Sequence, residues 1–236
     1  MTSPAQPASL PEGAPGWFVK LGAVGVINQS SSNLYAQPLA SAVVPGLGVV
    51  PIGGFGPELH LTGSNASYSN LFTIVGILGY FVTPTVSIEA ATGVPTWEKV
   101  RITGFTPGAP AAGTLLFEAL PATAPITAVY HFRQLGALQP YLGVGVAPVF
   151  TLSTRSEFST GVSVDPTAGL VLQGGFDYMF NPHWGLFFDA KKIFAQFDVT
   201  TRGINLGPPI GGIPAAASSR TTAEPWLLSS GVTYRF

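Results

Sequence analysis

Residues 169–181 read GLVLQGGFDYMFN, and their alternation decides the fold class. Gln173 and Asp177 share one parity, while Leu170, Leu172, Phe176, Tyr178 and Phe180 hold the other. Successive side chains of a strand point to opposite faces, so this stretch predicts a strand with one polar and one greasy face. The same pattern recurs along the chain. In 17–27 (WFVKLGAVGVI), Lys20 shares a face with Phe18, Gly22 and Val24, opposite Trp17, Val19, Leu21 and Ala23. In 85–95 (TVSIEAATGVP), Ser87 and Glu89 oppose Val86, Ile88 and Ala90. In 224–236 (EPWLLSSGVTYRF), Thr233 and Arg235 oppose Trp226, Leu228, Val232, Tyr234 and Phe236. Segments 122–132 and 140–150 follow more loosely. Segment 71–81 is apolar on both faces and leaves its facing open.

Composition says what these greasy faces meet. Charged residues make up 9 % of the 236, against about 25 % in an ordinary soluble domain, while 46 % are hydrophobic. Ten basic and eleven acidic residues leave a net charge of −1. A soluble carrier would expose too much uncharged surface, and a nucleic-acid binder would need a basic footprint. The chain has no cysteine, which removes disulfide scaffolds and thiolate metal sites. The best candidate for a spanning helix, 68–88, has an apolar core of only 71–82 and is broken by Gly76, Gly79 and Pro84. A helix needs about 20 apolar residues to cross a bilayer. The remaining solution is a closed barrel, in which every backbone polar group pairs between strands.

Connection lengths alternate as such a barrel requires. Residues 82–84, 133–139 and 181–183 are short joins; 28–70, 96–120, 153–168 and 199–222 are long and rich in small residues. These predict an all-β, eight-stranded antiparallel transmembrane barrel with short periplasmic turns and long extracellular loops. Trp17, Tyr80, Tyr130, Tyr141, Tyr178, Trp184 and Tyr234 fall near the short-turn side and predict a periplasmic girdle; Trp97, Phe150, Phe194 and Trp226 predict a sparser outer one. Residues 1–16 have neither a basic start nor an apolar run, so they are expected to form a flexible periplasmic leader to a barrel over 17–236. The ending Tyr234-Arg235-Phe236 resembles the insertion signal read by the outer-membrane assembly machinery, with Phe236 as its terminal aromatic.

With the charged parity turned inward, the lower lumen receives Lys20, Glu89, His131, Asp177, Asp189, Lys191 and Arg235. Three cations and three carboxylates balance there, and buried charges must be paired. These residues are expected to form a plug across the floor of a barrel narrow enough for side chains to fill. Above them the inward positions include Val24, Val26, Val75, Ala91, Pro125, Val149, Ile193 and Leu227, an apolar path beneath the outer loops. Pro95, Pro121 and Pro125 lie on adjacent strands three and four. Proline cannot donate to a ladder, so a lateral opening is expected there. Lys192 follows Lys191 and is left facing lipid, or inward through a bulge.

Several stretches resemble the OmpW family of small outer-membrane barrels, which includes alkane-uptake members. They are GWFVKLGAVGV, GYFVTPTVSIEAATGVP, APITAVYHF with QPYLGVGVAPVF, GGFDYMFNPHWGLFFDAKKIFAQFDV and EPWLLSSGVTYRF. The resemblance implies an eight-stranded barrel that passes small hydrophobic molecules across the outer membrane and releases them sideways through its wall. Loops 28–70 and 203–216 lie outside it.

A passive channel for small hydrophobic solutes is therefore the expected function. The alternative is a structural or adhesive barrel acting through its outer loops. The expected partners are outer-membrane lipids and lipopolysaccharide, the assembly machinery and the solutes themselves; no nucleic acid, cofactor or metal is expected. Catalysis would need a serine, a base and a carboxylate in reach. His60 sits in a loop, His183 in a turn, and His131 has no serine beside it on the lipid face. The glycine-rich 46–56 (GLGVVPIGGFG) lacks the lysine of a phosphate loop.

Overall fold

A computed structural model describes residues 16–44, 48–54, 59–60, 64–104, 112–156, 161–205 and 214–236. Eight strands carry the alternating segments: β1 (Gly16–Ile27), β2 (Leu71–Phe81), β3 (Val86–Gly93), β4 (Ile126–His131), β5 (Leu138–Arg155), β6 (Thr167–Met179), β7 (Trp184–Asn205) and β8 (Trp226–Arg235). Each pairs antiparallel with the next, and β8 returns to β1 through rungs from Phe18–Arg235 to Ile27–Trp226. The sheet is thus closed on itself, β8 pairing back to β1, as a membrane barrel requires. Among the described residues no helix is long and apolar enough to cross a membrane.

Burial alternates along the strands as the strand period demands, apart from the run Lys191–Ile193 on β7, where all three are buried. Ser87, Glu89 and His131 are 0 % exposed, whereas outward Phe72 is 76 % and Leu142 61 % exposed. Such a surface is costly in water and costs nothing against acyl chains. Segment 71–81, apolar on both faces, turns Val75 and Ile77 inward and Phe72, Ile74 and Leu78 outward. The glycines of the wall leave room for inward rings. A Cβ on Gly79 would lie 2.0 Å from Cζ of Phe18, so the Phe18 ring occupies the space a side chain would fill.

The short connections carry their own chemistry. Asn181 Oδ1 accepts from the backbone N–H groups of His183 (2.9 Å) and Trp184 (2.8 Å), an Asx-type turn between β6 and β7. Thr83 does the same for Val86 N–H at 3.0 Å between β2 and β3. One 3₁₀ turn, Arg133–Leu135, joins β4 to β5, and Gly136 closes it with φ +69°.

Two expectations are corrected. The long outer connections are largely strand rather than loop. Ser30–Val44, Gly48–Gly54, Glu98–Gly104, Leu115–Thr123, Gly161–Val164 and Pro214–Ala223 extend the wall upward as a rim, and β5 and β7 run on into it. Backbone polar groups pair more readily with a ladder already formed beneath them than in isolated loops. The glycine-rich stretch read as plain loop contains one of these strands, Gly48–Gly54. The second correction concerns Tyr141, expected in the outward girdle: it is 1 % exposed and lies inside the lumen. Trp17, Tyr130, Tyr178 and Trp184 do face outward near the short turns. The leader, residues 1–15, lies outside the described residues.

Candidate functional site

The interior has two storeys. In the lower one, β1 supplies Lys20, whose ammonium lies 3.3 Å from Glu89 Oε1 on β3 and 3.0 Å from Asp177 Oδ1 on β6. Arg235 of β8 approaches the other Asp177 oxygen at 3.1 Å and donates to Gln139 Oε1 at 2.9 Å. Lys191 pairs with Asp189 two residues away on β7. The expected floor residues Lys20, Glu89, Asp177, Asp189, Lys191 and Arg235 are therefore all inward, buried and joined in ion pairs. His131 is also inward; its Nε2 lies 2.9 Å from Ser87 Oγ, and its ring packs against Phe81 and Tyr141.

Neutral side chains that composition did not single out join these ion pairs into one network. Gln173 donates to Glu89 Oε2 at 2.9 Å and to Asp189 Oδ2 at 2.7 Å, and accepts from Thr127 at 2.6 Å. Tyr141 donates to Asp189 Oδ2 at 3.0 Å and presents its ring face 4.3 Å from the Lys20 ammonium. Phe18 and Phe187 flank the same ammonium. Each carboxylate thus has a cation and a hydrogen-bond donor, the condition under which buried charge is tolerated. The signal that finds Tyr141 is its odd-numbered parity, shared with inward Ala147 and Val149 of the same strand.

Above the floor lies a cavity of about 190 Å³. Val24, Val26, Val75, Ala91, Pro125, Val149, Ile193 and Leu227, the residues of the expected apolar path, all line it. Asp189, Lys191 and Ser229 form its base; Asn28, Tyr68, Glu98 and Phe117 reach it from the rim. Glu98, absent from the expected set, is 7 % exposed. Its outward neighbours Lys99 and Arg101 stand beyond the greasy belt, so Glu98 lies outside the membrane-spanning wall. Burial pushes its carboxyl up to about 7, partly opposed by the hydrogen bond from Asn28.

The wall beside this cavity is discontinuous. The β3–β4 ladder ends where Ala91 N–H donates to Pro125 O at 3.0 Å. It resumes only at the rung between Glu98 and Ala119. Between these points residues 92–97 and 120–124 form no rungs with each other. Pro95 is exposed, Pro121 half-buried and Pro125 buried, and all three border the cavity. Proline lacks the N–H a rung needs, and residues 121–123 are instead paired to β5.

Lys192 points outward beside Trp226. Its ammonium donates to Gln29 Oε1 (3.0 Å) and Glu224 O (2.6 Å), lies 3.5 Å from the Glu224 carboxylate, and sits over the Trp226 and Phe194 rings. No bulge turns it inward; polar partners at the rim shield it from acyl chains instead. Of the other histidines, His183 donates from Nδ1 to Arg235 O at 2.8 Å in its turn, and His60 lies on the short strand Leu59–His60.

Comparison with known proteins follows the same outline. The family model described as OmpW family matches residues 58–236. An outer-membrane protein of Sinorhizobium fredii, y4mB, is 31 % identical over 222 residues, covering 93 % of this chain and 80 % of its own length. Outer membrane protein AlkL of Ectopseudomonas oleovorans is 26 % identical over 178 residues, 75 % of this chain and 71 % of AlkL. The dibenzothiophene metabolism operon protein PahQ of Pseudomonas aeruginosa is 24 % identical over 177 residues, 75 % of this chain and 77 % of PahQ. Among solved structures, the outer membrane protein OprG of Pseudomonas aeruginosa superposes with a TM-score of 0.72 at 17 % identity, over 95 % of this chain and 97 % of OprG. AlkL in lipid bilayers gives 0.56 at 22 %, over 100 % and 96 %.

Proposed function

The chain belongs to the OmpW family, and from that premise we propose that this bacterial outer-membrane barrel is a passive channel for small hydrophobic molecules. The observation that carries the reading is an apolar cavity resting on a floor of paired charges. An apolar solute gains about 25 cal/mol for each Å² it buries there. Going on through the floor would break buried ion pairs, each costly to leave with one partner missing. The break between β3 and β4 borders the same cavity and faces the outer leaflet, so it offers the cheaper exit. Solutes enter from the rim, rest in the cavity and leave sideways through that break, past Pro95, Pro121 and Pro125. The similarity to PahQ, whose name places it in dibenzothiophene metabolism, supports a hydrophobic cargo.

The lipid and lipopolysaccharide of the outer membrane surround the belt, and Phe236, exposed at the barrel's short-turn end, is the contact for the assembly machinery. This reading assigns the channel no chemistry. Its Ser87–His131 pair is sealed among Phe81 and Tyr141, and neighbouring Glu89 is engaged by Lys20 and Gln173.

Uptake of a hydrophobic probe by cells with and without the protein tests the reading. Val75→Asp and Leu227→Asp put a carboxylate into the cavity wall and are expected to bring protein-dependent uptake close to background. Uptake unchanged in both folded variants rules the cavity out as the path.

A further inference from the structure

Glu98 occupies a position that apolar transport does not explain. Its rung to Ala119 restarts the ladder above the wall break, and its side chain turns into the cavity. One carboxylate oxygen accepts from Asn28 Nδ2. Asn28 is itself fixed: the same amide donates to Ser69 O at 2.7 Å, and its backbone N–H donates to Asn70 Oδ1 at 3.0 Å. Tyr68 lines the same cavity but makes no hydrogen bond to Glu98 among the described residues. Among the described residues no lysine, arginine or histidine stands within ion-pair distance of Glu98. The carboxyl shares the cavity with apolar Val26, Leu71, Phe117 and Ala119 and has one neutral partner, so an occupant that completes its hydrogen bonding lowers the cost of holding it there.

We infer that Glu98, positioned by Asn28, is a head-group station at the wall break for apolar molecules that carry a single hydroxyl group. The inference rests on the channel reading above and narrows its substrate class. The apolar body lies along the cavity and the hydroxyl meets the carboxyl at the upper edge of the break. A hydroxyl both donates and accepts. It therefore satisfies Glu98 ionised or neutral, and with its pKa near 7 both forms are populated around neutrality. A hydrocarbon satisfies neither form.

The test compares protein-dependent uptake of 2-naphthol, 2-methoxynaphthalene and naphthalene, which share one body. One hydrogen bond to a charged group corresponds to a preference of about tenfold or more. Wild type is expected to half-saturate at roughly a tenth of the concentration with 2-naphthol. Glu98→Leu is expected to erase that preference, read as the ratio of half-saturating concentrations of the three probes within the one variant. If Glu98→Leu keeps the preference, or slows all three probes equally, the station is overturned and the channel stands. Should Glu98→Leu fail to insert, wild type alone decides: equal half-saturation for 2-naphthol and 2-methoxynaphthalene overturns the station. If no probe shows protein-dependent uptake, the channel reading falls and takes this inference with it.

Discussion

The Lys20 ammonium on β1 meets the Asp177 carboxylate on β6 at 3.0 Å, from strands three apart around the barrel. This pair spans the lumen rather than following its wall. Lys20 also reaches Glu89 on β3, so one cation holds carboxylates from two sides. Lys20→Leu is expected to leave both under-compensated and to destabilise the barrel by about 3–5 kcal/mol, the usual cost of stranding a buried charge. Urea unfolding in lipid vesicles, followed by electrophoretic mobility, reads this as a lower midpoint.

Tyr141 is among the largest fully buried side chains and lies in the floor between Lys20 and Asp189. If the paired floor seals the lumen, Tyr141→Ala is expected to open a water path and raise ion conductance in planar bilayers well above that of wild type. The same change costs about 3–5 kcal/mol, as for other large aromatic truncations. Conductance equal to wild type in the folded variant would place the seal elsewhere.

Gly79 and Phe18 are matched in shape, since a Cβ at 79 would collide with the Phe18 ring. Gly79→Val is expected to cost at least 1–3 kcal/mol by overpacking. Phe18→Ala is destabilising alone by about 3–5 kcal/mol. The double variant is expected to be more stable than the sum of the two predicts, because the new side chain fills the space the ring vacates. Additivity in a double-mutant cycle would show that the two positions do not share that space.

The rim carries a pH dependence through Glu98. Its carboxyl titrates near 7 in the folded rim, against 4.5 as its ordinary value. Between these values the folded state binds more protons than the unfolded, so stability falls as pH rises. The effect is absent below the lower value and complete above the upper one. Amide exchange across Glu98–Gly104, corrected for intrinsic rates, is expected to show more protection at pH 5 than at pH 8. Glu98→Gln is expected to flatten the difference.

The alternation in 17–27, 85–95, 169–181 and 224–236 determined the fold class and the facing of the floor residues. Strand periodicity is local, and two neighbours in sequence suffice to express it. Closure also followed, because a bilayer leaves no other fate for strands so poor in charge. Which inward residues touch was decided only by the tertiary structure. Lys20 finds Asp177, and Gln173 finds Glu89 and Asp189, because barrel closure and strand stagger set each residue's height and azimuth. Glu98 shows the limit most plainly. In β3 the odd-numbered Ser87, Glu89 and Ala91 face inward, but beyond the irregular 94–97 the even-numbered Glu98, Val100 and Ile102 do. A one-residue slip reverses every later side chain, and only the packed wall fixes where that slip falls.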